Sequence, residues 1–168
     1  MKTKNFNKKY DVIIVGSGHA GGESACASAR MGSKTLLVTH NKEKIGEMSC
    51  NPAIGGLGKG HLVREIDALD GIMGRAIDSS GIQFRMLNLS RGPAVQGPRA
   101  QADRSLYKKV IQKIINDQKN LDVLEGSAED VLIEGDVLKG VLIEGVGEIK
   151  SKSLVLTTGT FLRGIIRI

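Results

Sequence analysis

The sequence predicts an α/β fold built on a parallel sheet, and three observations support this class. Two continuous apolar runs, residues 10–15 and 35–39, have the pattern of strands that are covered on both faces. An alanine- and serine-rich helical stretch over residues 20–31 joins them and stops before Gly32. Further along, residues 131–150 read as a β-meander that leads back to one more apolar strand.

The elements between these landmarks are predicted in order. Residues 46–60, which contain glycine, proline and asparagine, and residues 90–104, which contain two prolines and three arginines, are expected to be loops. Between them, residues 61–69 form an amphipathic segment with Leu62, Ile66 and Leu69 on one face, and residues 82–86 alternate as a strand does. Ile111 and similarly spaced apolar residues predict the longest helix, over residues 102–117.

The last third of the chain is predicted to be mostly β-structure. A strand is expected at residues 121–124, and the meander consists of short strands at 131–134, 137–143 and 149–150. A separate buried strand at residues 154–157 enters a Thr-Thr-Gly sequence. We therefore expect a basic tail over residues 1–9, followed by one incomplete domain over residues 10–168.

Composition limits the classes of function. The chain has 168 residues, a formal net charge of +6, and 40% hydrophobic and 25% charged residues, which is typical of a globular protein. No apolar run reaches the ~18 residues that cross a bilayer, and no signal peptide is evident, so a cytoplasmic setting is expected. The charge alone favours a solvated basic surface over nucleic-acid binding, and the presence of only five aromatic residues argues against base-stacking platforms.

A glycine-rich turn directly after the first strand gives the first indication of chemistry. In this spacing the first glycine allows a tight turn, the second lets the backbone approach a pyrophosphate, and the third lets the helix pack on the sheet. The helix N-terminus adds N–H groups and a partial positive charge. The sequence therefore predicts a Rossmann-like, three-layer FAD/NAD(P)-binding domain. Its cofactor-binding residues are Gly16, Ser17, Gly18, His19, Ala20 and Gly21.

The order of the later elements favours FAD over NAD. FAD-type domains commonly interrupt the crossover with a β-meander and return through a strand that ends in small residues. Residues 131–150 followed by residues 154–159 (LVLTTG) fit that order. The acidic residue that usually contacts the ribose after the second strand is absent, and Thr39 and His40 stand there instead.

Residues 55–60 (GGLGKG) superficially resemble the phosphate-binding loop of an NTPase. The first glycine of that loop is missing, because Ala53 or Ile54 occupies its place by either count, and Gly60 stands where a Mg²⁺-binding Ser or Thr is required. The sequence therefore predicts no NTPase site. The glycines instead favour a chain that lies flat against a planar ring.

The two cysteines differ in their surroundings. Cys50 lies in a polar, glycine-rich loop, where it is either a catalytic nucleophile or a small buried residue in a tight turn. Cys26 lies within the first helix among small residues and is expected to pack in the core. No spacing of cysteine and histidine predicts a metal site.

Four segments together resemble the GidA/MnmG family of flavoproteins, and the resemblance extends over residues 10–164. They are residues 10–32, 39–71, 81–95 and 99–104. The most specific part is SCNPAIGG-x-GKGHLV at residues 49–63, within the second segment. The resemblance implies an enzyme that modifies the wobble uridine of tRNA, adding an aminomethyl or carboxymethylaminomethyl group to carbon 5 of the uracil.

The resemblance also implies cofactors, partners and residue roles. It implies FAD as cofactor, NADH and methylene-tetrahydrofolate as co-substrates, an MnmE-type GTPase as partner, and a homodimer in the full-length form. By position, Gly16 to Gly21 would bind the FAD pyrophosphate, the backbone of Ala128 would contact the adenosine, and Cys50 would act in catalysis.

The chain is much shorter than members of this family, so only the N-terminal part of the FAD-binding domain is expected, with little activity alone. Three alternatives remain open from the sequence. They are another FAD-dependent oxidoreductase of this fold, a folate-dependent tRNA methyltransferase, and an inactive truncated remnant.

Overall fold

The computed structural model describes residues 9–49 and 51–160. In chain order the elements are β1 (Lys9–Val15), α1 (His19–Arg30), β2 (Thr35–Thr39), β3 (Ala53–Gly55), α2 (Lys59–Asp67), α3 (Ile72–Ser80), β4 (Gly81–Leu87), β5 (Gly97–Ala102), α4 (Arg104–Asp117), β6 (Leu121–Glu125), β7 (Ala128–Glu134), β8 (Val137–Ile143) and β9 (Gly147–Leu156).

The chain divides into two compact units. The first unit comprises the described residues up to Glu43 and from Gln118 onward, and the second unit runs from Lys44 to Asp117. Among the described residues, no helix has the length and apolar character needed to cross a membrane.

The first unit is built on a six-stranded sheet in the order β6-β2-β1-β9-β8-β7. The first four of these strands are parallel, and β7, β8 and the beginning of β9 form the antiparallel meander. Helix α1 packs against the parallel strands. This arrangement confirms the predicted Rossmann-like class, including its meander crossover.

The core of the first unit explains the apolar runs in the sequence. All five residues of β2 are buried, as expected for a strand that is covered on both faces. One cluster of buried side chains joins the parallel strands to the meander; it contains Tyr10, Ile13, Val15, Leu36, Val38, Leu124, Val141, Ile143 and Ile149. Small residues on α1, including Ala25 and Cys26, are fully buried and allow close helix packing.

The predicted separation of residues 149–150 from residues 154–157 is wrong. β9 is one strand of ten residues, which pairs antiparallel with β8 through Lys150 and parallel with β1 from Lys150 onward. It is less buried than predicted, because Leu156 is exposed and Leu154 is only half-buried.

The second unit contains a three-stranded sheet in the order β3-β5-β4, with helices α2, α3 and α4. β4 and α4 confirm predicted elements, although α4 begins at Arg104. The two predicted loops are not wholly irregular: the first contains β3, and the second contains β5. The apolar face predicted for residues 61–69 is largely exposed to solvent, since Leu62 is 65% and Leu69 is 76% exposed.

Candidate functional site

The turn after β1 has a backbone that only glycine adopts without strain. Gly16 has φ +105°, and a Cβ placed on it would lie 2.3 Å from the carbonyl oxygen of Thr157. The amide of Gly16 donates a hydrogen bond of 2.9 Å to Val38 O. The first glycine of the motif therefore lets the chain leave the sheet between β9 and β2.

The other two glycines of the motif have opposite surroundings. A Cβ on Gly21 would lie 1.9 Å from the carbonyl oxygen of Gly16, so the helix crosses the turn at a distance that no side chain permits. A Cβ on Gly18 would meet no atom within 4 Å, and Gly18 has φ −69°. The protein itself therefore requires glycine at position 21 but leaves position 18 open.

The N-terminus of α1 lacks the side chains that usually satisfy a helix end. Its N-cap is Gly18, which makes no side-chain cap hydrogen bond, and no acidic residue lies in the first turn. A helix N-terminus presents free N–H groups and a partial positive charge. His19 is half-buried and Ala20 is exposed at this end of the helix.

Thr157, which follows β9, fixes the turn from the other side of β1. Its amide donates to Val15 O at 2.9 Å, and its hydroxyl Oγ1 lies 3.0 Å from Val15 O and 3.1 Å from Gly16 O. This role does not follow from the sequence alone. The Thr-Thr-Gly pattern after an apolar strand, which favours FAD, is the signal in the sequence that points to this residue.

A hydrogen bond between side chains connects the turn to β2. The hydroxyls of Ser17 and Thr39 lie 2.7 Å apart, and Thr39 Oγ1 also lies 3.3 Å from Asn41 O. Thr39 is only 6% exposed, whereas His40 is exposed. Thr39 thus stabilises the turn, and of the two residues expected near a ribose, His40 is the one with a solvent-facing side chain.

Ala128 lies at the same edge of the sheet as the glycine turn. Because β1, β2 and β6 are parallel, their carboxyl ends meet at one edge, and the amide of Gly126 just after β6 donates to Thr39 O at 2.9 Å. Ala128 begins β7 two residues later and is half-buried. The chain continues from β1 to β2 on one side, whereas β9 lies on the other side of β1. The carboxyl ends of β1 and β9 therefore lie at a topological switch point, which is the usual ligand position in open α/β sheets.

Only one of the two cysteines, Cys26, lies within the described residues. Cys26 is fully buried in α1, which confirms its expected packing role. Cys50 lies outside the described residues, so its catalytic role stays a prediction. Among residues 9–49 and 51–160, no group of His, Cys, Asp and Glu is arranged to hold a metal ion.

Comparison with known proteins now decides the family. Residues 11–168 match the family described as "Glucose inhibited division protein A" (GIDA). The chain belongs to the GidA family. It is 60% identical over 160 residues to the tRNA uridine 5-carboxymethylaminomethyl modification enzyme MnmG of Granulibacter bethesdensis, covering 94% of this chain and 25% of that protein.

Solved structures agree with this assignment. GidA of Aquifex aeolicus, in its form II crystal, superposes with a TM-score of 0.88 at 50% identity over 92% of this chain and 26% of that chain. A GidA-related protein from Thermus thermophilus shares the fold at 19% identity, with a TM-score of 0.58 over 91% of this chain and 54% of that one. The chain therefore spans about a quarter of the length of the GidA relatives it matches.

Proposed function

We propose that this chain is the FAD-binding N-terminal part of a flavoprotein that adds a (carboxymethyl)aminomethyl group to carbon 5 of the wobble uridine of tRNA. The observation that carries the proposal is a glycine turn with an open position at Gly18, in a chain 60% identical to an enzyme named for that modification. The remaining parts of such an enzyme would come from sequence that this chain does not contain.

The described residues fit the diphosphate of FAD. A Cβ added to Gly18 would meet no atom of the described residues within 4 Å, and the uncapped N-terminus of α1 supplies N–H groups that can donate hydrogen bonds to a phosphate. Thr157 and Ser17 hold the turn in place before the ligand arrives, so little order has to be created on binding. Ala128, at the same edge, is proposed to contact the adenosine through its backbone.

Bound FAD would supply two-electron redox chemistry, with NADH and methylene-tetrahydrofolate as proposed co-substrates. The residues of this chain would bind and orient the cofactor, and Cys50 is proposed to act as the nucleophile or acid–base group. An MnmE-type GTPase and a second copy of the complete protein are the proposed partners.

The test is a titration of the purified chain with FAD, FMN and riboflavin, followed by quenching of flavin fluorescence. Recognition of the diphosphate predicts that FAD binds much more tightly than riboflavin, which has no phosphate. FAD at 100 times its Kd should also stabilise the fold by about 2.7 kcal/mol in thermal unfolding. Equal affinity for riboflavin and FAD, or no affinity for FAD, would contradict the proposal.

A further inference from the structure

Two arginines lie directly opposite each other on one face of the sheet in the second unit. Arg85 on β4 pairs with Arg99 on β5, and the next pair on the same face is Gln83 with Gln101. Like charges opposite one another on adjacent strands destabilise a sheet. This arrangement therefore has a cost that a bound anion would offset.

No described carboxylate lies within ion-pair distance of either arginine, although Asp67 and Asp78 line a neighbouring cavity together with them. Neither arginine forms an ion pair within residues 9–49 and 51–160, and the side-chain hydrogen bond of Arg99 goes to the neutral Asn51 Oδ1, at 3.3 Å. Arg85 is exposed and Arg99 is half-buried. The guanidinium groups consequently keep donors available for a ligand.

A third cation experiences the same positive field. Lys59 begins α2, and its ammonium donates to Ala53 O at 3.0 Å. Its pKa lies below the ordinary value, first because burial disfavours the charged form and second because Arg99 repels it. Any anion that reaches Arg99 would relieve this repulsion.

The face is concave where the two pairs meet. A cavity of about 240 Å³ is lined by Gln83, Arg85, Leu87, Arg99 and Gln101. Planar guanidinium forks match phosphate oxygens in a bidentate way, and amide groups add neutral donors. We propose that this face, with Arg85 and Arg99 at its centre, binds a phosphodiester group of the RNA substrate.

The exposure and the charge of this face favour RNA over other anions, and this inference rests on the proposed function. The cavity opens on a sheet face with exposed side chains and not in an enclosed pocket, which suits a backbone phosphate that continues along the surface. The net charge of +6, which by itself does not indicate nucleic-acid binding, adds a general attraction for a polyanion to the local charge of this face. Phosphate contacts of this kind position an RNA without reading its sequence.

The experiment compares the chain with its R85Q/R99Q variant and with a matched control, R75Q. Arg75 is an exposed arginine of the same unit, ion-paired with Asp70 at 3.7 Å. Binding of a labelled tRNA anticodon stem-loop is followed by fluorescence anisotropy at several salt concentrations. The double variant should lose at least about tenfold in affinity, and its slope of log K against log salt should fall in magnitude by about 0.7–0.9, as expected for the loss of one phosphate contact.

Each result has a distinct meaning. R75Q should bind RNA as the parent chain does, and R85Q/R99Q should bind FAD as the parent does and unfold at an equal or higher temperature, because it loses a repulsive pair. An unchanged salt slope in the double variant overturns the site while leaving the proposed function intact. A parent chain that binds FAD but no RNA overturns the assignment to RNA.

Discussion

Replacing Thr157 with valine tests whether the residue after β9 holds the glycine turn. Valine keeps the branched shape of threonine and removes only the hydroxyl. In the structure, Oγ1 is the donor that reaches Gly16 O, at 3.1 Å. Val15 O also accepts a hydrogen bond of 2.9 Å from the amide of Thr157, which valine retains. The substitution therefore leaves one half-buried carbonyl without its donor.

The size of the effect follows from that single loss. Leaving a buried acceptor unsatisfied costs about 1–3 kcal/mol. We expect the free energy of unfolding of T157V, measured in urea, to be lower by that amount. If the turn has to be reordered when FAD binds, the same free energy is lost from binding, and the affinity for FAD falls by about 5- to 150-fold. T157S keeps the hydroxyl and loses one methyl group, so it should stay within about 1 kcal/mol of the parent.

The neighbouring threonine provides the control. Thr158 is also half-buried, and no hydrogen bond of its hydroxyl is formed within the described part of the chain. Urea unfolding followed by circular dichroism should show T158V close to the parent and T157V clearly below it. Equal stabilities of T157V and T158V would refute the reasoning about the turn.

Three further predictions concern the first unit. G21A should lose at least about 3 kcal/mol in urea unfolding because its Cβ would lie 1.9 Å from Gly16 O, although helix propensity alone predicts a gain; a stabilised variant would contradict this packing. Lys152 Nζ, at 2.7 Å, and the amide of Lys34 lower the pKa of Asp11 below its ordinary value of 3.8. The ionised Asp11 therefore stabilises the fold above pH 3.8, and this contribution is lost as the pH falls through the lowered pKa of the folded state. The free energy of unfolding should accordingly fall less steeply in D11N than in the parent between about pH 5 and about pH 2. Identical pH profiles of the two chains would exclude this contribution of Asp11. In C50S the only remaining thiol is that of Cys26, which is fully buried and should react with a thiol reagent only as fast as the fold opens. Rapid labelling in native buffer would show that α1 is not packed as described.

The β1-α1-β2 unit could be predicted from the sequence because its signals are local. The apolar runs, the glycine spacing and the stop at Gly32 each depend on neighbouring residues only. The strand β5 could not be predicted in this way, because it contains Pro98 and no β-branched residue and is held by its two neighbours. β9 was divided in the prediction because residues 150–153 are polar, whereas pairing on both sides keeps the strand continuous.

The candidate site was predicted as a stretch of chain but not as a set of contacts. The roles of Gly16 and Gly21 follow from spacing, and the close approaches of 2.3 Å and 1.9 Å agree with them. The Thr-Thr-Gly pattern draws attention to Thr157, but the hydrogen bonds of Thr157 and Thr39 to the turn join residues distant in the sequence and depend on how the strands pair. The opposed arginines likewise depend on the register of β4 and β5.

The open position at Gly18 allows the most direct test of cofactor binding. A Cβ on Gly18 would meet no described atom within 4 Å and φ is −69°, so the backbone there is compatible with valine, and G92V is a matched control at another open glycine with φ −63°. Equilibrium dialysis should show that G18V folds normally but loses most of its affinity for FAD, while G92V retains it. A G18V chain that binds FAD as the parent does would show that the diphosphate does not lie at this turn.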